Sequence, residues 1–114
     1  MTGGSGGIGG EICRRFAAEG ARVFVHYGGS AAKAESTVDG LAGDGHRVVQ
    51  ADLLEPSSIK AMVDHVEDVS GGLDVLVNNA GVFEPHAPLT TDFDAWRTAW
   101  RRTLGINLEG AAYA

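Results

Sequence analysis

The strongest constraint on the fold is a glycine-rich turn at residues 2–9, TGGSGGIG, which leads directly into an amphipathic helix. Glycine permits positive φ angles and close backbone approach to a ligand, and the amides at a helix N-terminus attract phosphate. The turn therefore predicts a dinucleotide phosphate-binding site. It fits three known spacings, and by itself it does not choose among Gly4-Gly6-Gly9 (GxGxxG), Gly3-Gly6-Gly9 (TGxxGxxG) and Gly3-Gly7-Gly9 (TGxxxGxG).

The same glycine and serine composition is also typical of flexible linkers. Two neighbouring features favour phosphate binding instead. Apolar residues from Ile8 to Ala17 follow a helical spacing that ends at Gly20, and a β-branched and aromatic run follows at residues 21–27.

Apolar patterning along the rest of the chain predicts alternating strands and helices. Further strands are expected at residues 45–52 and 72–79, and further helices at 31–41, from Pro56 through Val66, and at 92–113 after a loop with Pro85 and Pro88. The run at 72–79 is almost entirely apolar, which predicts a strand covered on both faces. This order indicates an α/β fold with a doubly wound parallel sheet.

A phosphate-binding glycine turn normally follows a central strand of such a sheet. Only Met1 and Thr2 precede Gly3 here. We therefore expect residues 1–114 to be the dinucleotide-binding portion of a single Rossmann domain that is incomplete, lacking its first strand and its C-terminal strands.

Composition and charge limit the classes of partner and the cellular compartment that we expect. The net charge of −6 gives no reason to expect nucleic acid or an anionic membrane surface as a partner, and no apolar run approaches the length of a membrane span. Cys13 is the only cysteine, so an intrachain disulfide is impossible and a cytoplasmic location is expected. The four histidines are scattered without metal-ligand spacing, so no metal is expected.

A second motif, Val77-Asn78-Asn79-Ala80-Gly81, ends the predicted strand at 72–79, at the edge where open α/β sheets bind ligands. Asparagines there could simply satisfy loop backbone. Placed behind a TGxxxGxG turn, however, the tetrapeptide resembles the short-chain dehydrogenase/reductase family. Ile106-Asn107-Leu108-Glu109-Gly110 resembles the family's Asn-Leu-x-Gly segment, so the resemblance extends over essentially the whole chain.

The resemblance implies a role for particular residues. Asp52-Leu53 matches the family's pair that contacts the adenine, and Asn107 matches an asparagine of the catalytic tetrad, which holds a water connected to the active-site lysine. The implied cofactor-binding residues are Gly3, Ser5, Gly7, Ile8, Gly9, Asp52, Leu53, Asn79, Ala80 and Gly81.

The implied activity is hydride transfer between a nicotinamide and a small-molecule ketone or alcohol, and the group it resembles most is that of the 3-oxoacyl-carrier-protein reductases. A serine, a tyrosine and a lysine normally complete that chemistry, and the sequence offers no match: neither Tyr27 nor Tyr113 has a lysine four positions later. The chain alone is therefore expected to be inactive. The alternative is a non-catalytic nucleotide-binding chain or pseudoenzyme.

The residues that end the predicted strand at 21–27 bear on the choice of cofactor. His26 and Tyr27 stand where an acidic residue would hold the ribose hydroxyls of NAD, which favours NADP while leaving NAD open.

The stripe containing Trp96 and Trp100 is either core or an oligomer interface, and the resemblance implies a homodimer or homotetramer. Arg97, Arg101 and Arg102 are expected on the solvated side of that helix.

Overall fold

The computed structural model describes residues 1–87 and 89–114. Pro88, predicted to share a loop with Pro85, lies outside the described residues. Elements alternate along the chain as α1 (Gly7–Ala18), β1 (Phe24–Tyr27), α2 (Ala31–Asp39), β2 (Arg47–Gln50), α3 (Pro56–Ser70), α4 (Phe93–Leu104), a π-helical turn (Gly105–Gly110) and α5 (Ala111–Tyr113).

The two strands form a parallel sheet in which Phe24 lies opposite Arg47 and Tyr27 opposite Gln50. Successive side chains of a strand point to opposite faces, and each face of this sheet has its own apolar cluster. Val25 packs with residues of α1 and α2, including the fully buried Cys13, whereas Phe24 packs with residues of α3. Helices thus cover both faces, and the predicted α/β architecture with a parallel sheet is confirmed, with two strands among the described residues.

Residues 1–4 run alongside β1 as a short extended segment. The Met1 carbonyl accepts a hydrogen bond from the His26 amide, and the Gly4 amide donates to the His26 carbonyl, both at 3.0 Å. On its other side, this segment reaches the chain before Asn79, because the Thr2 amide donates to the Val77 carbonyl at 3.0 Å. The glycine turn therefore leaves the sheet between β1 and residues 73–79.

The strand predicted at residues 72–79 is wrong: the segment lies beside the sheet without regular strand structure. A strand needs a ladder of backbone hydrogen bonds, and the neighbour of this segment, the short run at Met1 and Thr2, supplies one bond to Val77. Its side chains are also not covered on both faces as expected, since Leu73 is 49% and Val75 53% exposed.

The helix predicted at 92–113 exists but is not uniform. It begins at Phe93, where the Asp92 side chain caps it by accepting from the Ala95 amide at 2.9 Å, and it changes to π-helical geometry over Gly105–Gly110. Helical periodicity does not reveal such a change, because one added residue in the turn leaves the apolar pattern on either side nearly intact. Among the described residues, no helix is both long and apolar enough to cross a bilayer.

One prediction concerns the α3 face of the sheet. Ile59 has no exposed surface, and we expect Ile59→Ala to lower the free energy of unfolding by about 2–5 kcal/mol because it removes buried methyl groups and leaves a cavity. Urea denaturation of the full-length gene product measures this. Ile8→Ala is the matched control: Ile8 is 76% exposed, so the same substitution should change stability by less than about 0.5 kcal/mol. Equal losses would contradict this account of the core.

Candidate functional site

A groove of about 690 Å³ lies where β1 and β2 end, between these strand ends and residues 79–82. The carboxyl ends of parallel strands are where open α/β sheets bind ligands. The groove brings together six of the residues expected to contact a cofactor: Gly3, Asp52, Leu53, Asn79, Ala80 and Gly81. Ser5, Gly7, Ile8 and Gly9 belong to the adjoining turn and first turn of α1 and do not line the groove themselves.

The backbone amides of the turn fall into two groups. Those of Gly3 and Gly4 are used internally, donating to the His26 ring and the His26 carbonyl. Within the described part of the chain, the five amides from Ser5 to Gly9 have no internal acceptor, and the first turn of α1 contains no acidic residue. Consecutive free amides at a helix N-terminus form a site for an anion such as a pyrophosphate.

Two of the glycines are required by close contacts. Gly3 has a φ of +62°, which side chains rarely adopt, and lies against Ala80. Gly9 lies so close to the start of the turn that a methyl group on it would be 2.2 Å from the Gly3 carbonyl oxygen and 2.6 Å from the Asn79 side-chain nitrogen. The turn can fold back over α1 only with glycine at this position.

Thr2 and Asn79 fasten the turn to the chain at residues 79 and 80. The Thr2 hydroxyl oxygen accepts hydrogen bonds from the backbone amides of Asn79 and Ala80 at 3.0 and 3.1 Å. In return, the Asn79 side-chain nitrogen donates to the Thr2 and Gly3 carbonyls, each at 3.1 Å. Thr2 is only 3% exposed. We call these four bonds the Thr2–Asn79 clamp.

Asn107 lies in the π-helical turn and holds the chain just beyond Gly81. Its side-chain oxygen accepts from the Val82 amide at 2.8 Å, and its side-chain nitrogen donates to the Val82 carbonyl at 2.9 Å. Asn78 makes a parallel contact, donating to the Ala111 carbonyl at 2.9 Å. The predicted catalytic asparagine is thus directly beside the groove, although the groove-lining residues do not include it.

Asp52 and Leu53 border the groove in different ways. The exposed Asp52 closes the turn before α3: its amide donates to the Ser58 hydroxyl, and its carboxylate accepts from the Leu54 amide, both at 2.9 Å. The Leu53 side chain is buried in the apolar cluster on the α3 face. Leu53 therefore offers the groove little besides its backbone.

Sequence reasoning assigned no role to two residues that the structure places at this site. His26 was noted only as the residue that replaces an acid, yet it is 3% exposed and its ring contacts the glycine turn. Arg102 is exposed, as expected for the solvated side of its helix, and it also pairs with Glu84 and lines the groove. The signal for His26 was present, because a histidine in a buried strand needs hydrogen-bond partners.

Comparisons with known proteins agree on one family. The family model for short chain dehydrogenases matches residues 1–114. The chain is 40% identical over 114 residues to a cis-4-hydroxycyclohexanecarboxylate dehydrogenase of Sinomonas cyclohexanicum and 43% identical over 112 residues to a 3-oxoacyl-(acyl-carrier-protein) reductase of Staphylococcus aureus, covering 98% and 96% of this chain. It spans about 44% of the length of either relative.

A solved structure gives the same result. A short chain dehydrogenase from Burkholderia cenocepacia, crystallised in complex with NADP, superimposes with a TM-score of 0.85 at 36% sequence identity. The match covers 99% of this chain and 45% of that one.

The clamp generates a prediction about Thr2. Thr2→Val keeps the shape of the side chain but removes the acceptor of two amides, and we expect the free energy of unfolding to fall by about 1–3 kcal/mol because those amides are left without a partner. Thr2→Ser retains the hydroxyl and should remain closer to the parent protein. Chemical denaturation of the two variants checks this, and a serine variant as unstable as the valine variant would argue against the clamp.

Proposed function

This chain belongs to the short-chain dehydrogenase family, and we propose that the protein carrying it is an NAD(P)-dependent oxidoreductase that transfers hydride between a nicotinamide and a small ketone or alcohol. One observation carries the proposal: the five free amides from Ser5 to Gly9 adjoin a groove at the strand ends. That arrangement suits the pyrophosphate and the adenosine half of a dinucleotide.

We propose NADP as the cofactor, with NAD as the alternative. The end of β1 that reaches the groove carries His26 and Tyr27. Neither has a carboxylate that would repel a 2′-phosphate. The Burkholderia relative in complex with NADP supports the same choice. The bound cofactor would supply the hydride, and the residues of this chain would bind and orient it.

The proposed roles follow from position in the groove. The amides of Ser5, Gly7, Ile8 and Gly9 would bind the pyrophosphate, Asp52 and Leu53 would border the adenine, and residues 79–81 would lie along the ribose. The helical spacing placed Ile8 on the apolar face of the first helix, but its side chain is exposed. It is therefore free to cover the cofactor.

Asn107 is the residue of this chain that we assign to the catalytic site. Val82 occupies one acceptor lone pair and one N–H of its side-chain amide. One lone pair and one N–H therefore remain to hold a water. Its pairing with Val82 would fix that water relative to Gly81 and the groove.

We propose that the substrate is a small carbonyl compound or alcohol, with the 3-oxoacyl-(acyl-carrier-protein) reductase group as the nearest candidate because of the 43% identity to that relative.

A homodimer or homotetramer is supported by α4, where Phe93 is 68% and Trp100 41% exposed and Ala99 is the one buried residue. These exposures favour an interface over ordinary core. A cytoplasmic location is supported by Cys13, a single buried free thiol.

The central test is cofactor binding by the full-length gene product. NADPH should bind at micromolar concentration, measured by calorimetry, and Gly9→Ala should weaken it at least about tenfold because the added methyl group displaces the turn. Gly10→Ala is the matched control, since the Gly10 amide already donates to the Gly6 carbonyl and a methyl group there meets its neighbours only at 3.6 Å or more. No NADPH or NADH binding would contradict the proposal and favour a chain without cofactor chemistry.

A separate prediction concerns residues 1–114 expressed alone. Because this sequence contains no Tyr-x-x-x-Lys, we expect no NADPH oxidation with 3-oxoacyl thioesters, followed at 340 nm, while the full-length gene product oxidises NADPH. Turnover by residues 1–114 would overturn the first expectation. NADPH binding without turnover on any ketone by the full-length gene product would instead favour the non-catalytic alternative.

A further inference from the structure

His26 has both ring nitrogens engaged inside the protein. Nδ1 lies 3.1 Å from the backbone nitrogen of Gly3, and Nε2 lies 3.1 Å from the carbonyl oxygen of Ala51. A backbone N–H can only donate, so Nδ1 must accept and carry no proton. Nε2 must then carry the proton and donate to Ala51. The neutral ring with its hydrogen on Nε2 is the one state that satisfies both contacts.

These two bonds join the phosphate-binding turn to the strand ends. Gly3 is the first residue of the turn with a positive φ, and Ala51 directly follows β2 and precedes Asp52 at the groove. The His26 backbone also binds this segment, since its carbonyl accepts from the Gly4 amide and its amide donates to the Met1 carbonyl. The side chain and backbone of His26 therefore fix the direction in which the turn leaves the sheet.

We propose that neutral His26 is a positioning residue for the dinucleotide, which holds Gly3 in the binding conformation and makes cofactor affinity fall when its ring is protonated. The cofactor part of this inference rests on the proposed function. The cationic ring carries a hydrogen on Nδ1, which then faces the Gly3 N–H, and two donors cannot bond. The turn loses the side-chain bond between Gly3 and β1 and keeps only the backbone bonds of Met1 and Gly4, so the amides from Ser5 onward are held less firmly in one arrangement.

The direction of the pH effect follows from burial. Burial lowers the pKa of His26, so the neutral form is favoured in the folded protein relative to the unfolded chain. The stabilisation is present above the ordinary histidine pKa of about 6.5 and is lost as pH falls through the lower value of the folded state.

Other charged groups share the surroundings of His26. Asp52 and Arg102 line the same groove, and Glu67 lines the cavity on the α3 side. Variants at position 26 retain all three groups, so a difference between variants at the same pH isolates the ring.

Two substitutions test the contacts of the two ring nitrogens of His26 separately. In His26→Asn, the amide oxygen takes the place of Nδ1 and accepts from Gly3 without a proton that titrates. In His26→Gln, the amide nitrogen takes the place of Nε2 and donates to Ala51, while the Gly3 N–H loses its acceptor. We expect the asparagine variant to bind NADPH at pH 7.5 within about twofold of the parent and the glutamine variant about fivefold more weakly.

The deciding experiment is the dissociation constant of NADPH from pH 8 to pH 5.5 for the full-length gene product and both variants. As the pH falls below the ordinary histidine range, the parent should progressively lose affinity for NADPH, by up to about fivefold, beyond any loss seen for His26→Asn. A ring that only fills space would leave the two variants alike, with the parent following the same pH profile. A parent that gains affinity at low pH would mean that a charged ring attracts the phosphates. Any of these results overturns the proposal.

A spectroscopic measurement separates this proposal from the proposed function. In the ¹⁵N spectrum of the histidine side chains without cofactor, His26 should have its proton on Nε2 at pH 7.5 and titrate below the ordinary histidine range. A proton on Nδ1 or an ordinary titration overturns the positioning role even if NADPH binds. The expected spectrum without NADPH binding at any pH overturns the proposed function, and with it the effect on affinity.

Discussion

The site depends on one buried hydroxyl. The Thr2 oxygen accepts from two consecutive backbone amides 77 and 78 residues further along the chain, and the Asn79 side chain returns two bonds to the backbone around Thr2. Each bond is ordinary in length. Together they attach the glycine turn to the segment that forms the far side of the groove, which the two-strand sheet does not reach. These side-chain hydrogen bonds join the two backbone segments and satisfy their polar groups, as a continuous ladder of backbone hydrogen bonds does elsewhere in a sheet.

This attachment explains how the turn divides its amides. The amides of Gly3 and Gly4 bond inward to His26, and the Thr2–Asn79 clamp holds the carbonyls of Thr2 and Gly3. The turn is thereby fixed from both directions, and the next five amides, at the start of α1, have no acceptor among the residues that the structure describes. A phosphate site needs such unsatisfied donors held in place before the ligand arrives, because ordering them on binding would cost affinity.

Sequence patterning predicted the helices and the first two strands because each has an apolar face that packs on the sheet, with Cys13 in the cluster on one face and Ile59 in the cluster on the other. The family resemblance derived from the glycine turn, residues 78–81 and Asn107 is confirmed by the family match. Patterning failed at residues 72–79, where strand structure depends on a neighbouring backbone rather than on the segment's own composition. It also could not identify the partners of His26 or Arg102, since both contacts join residues far apart in sequence.

Amide hydrogen exchange measured residue by residue, without cofactor, tests the central claim most directly. The account predicts slow exchange for the amides of Gly3, Gly4, Asn79 and Ala80, which are bonded internally, and fast exchange for those from Ser5 to Gly9. If Asn79 and Ala80 exchanged as fast as Ser5, the Thr2 hydroxyl would not be holding them. The attachment of the turn to the groove would then have to be explained in another way.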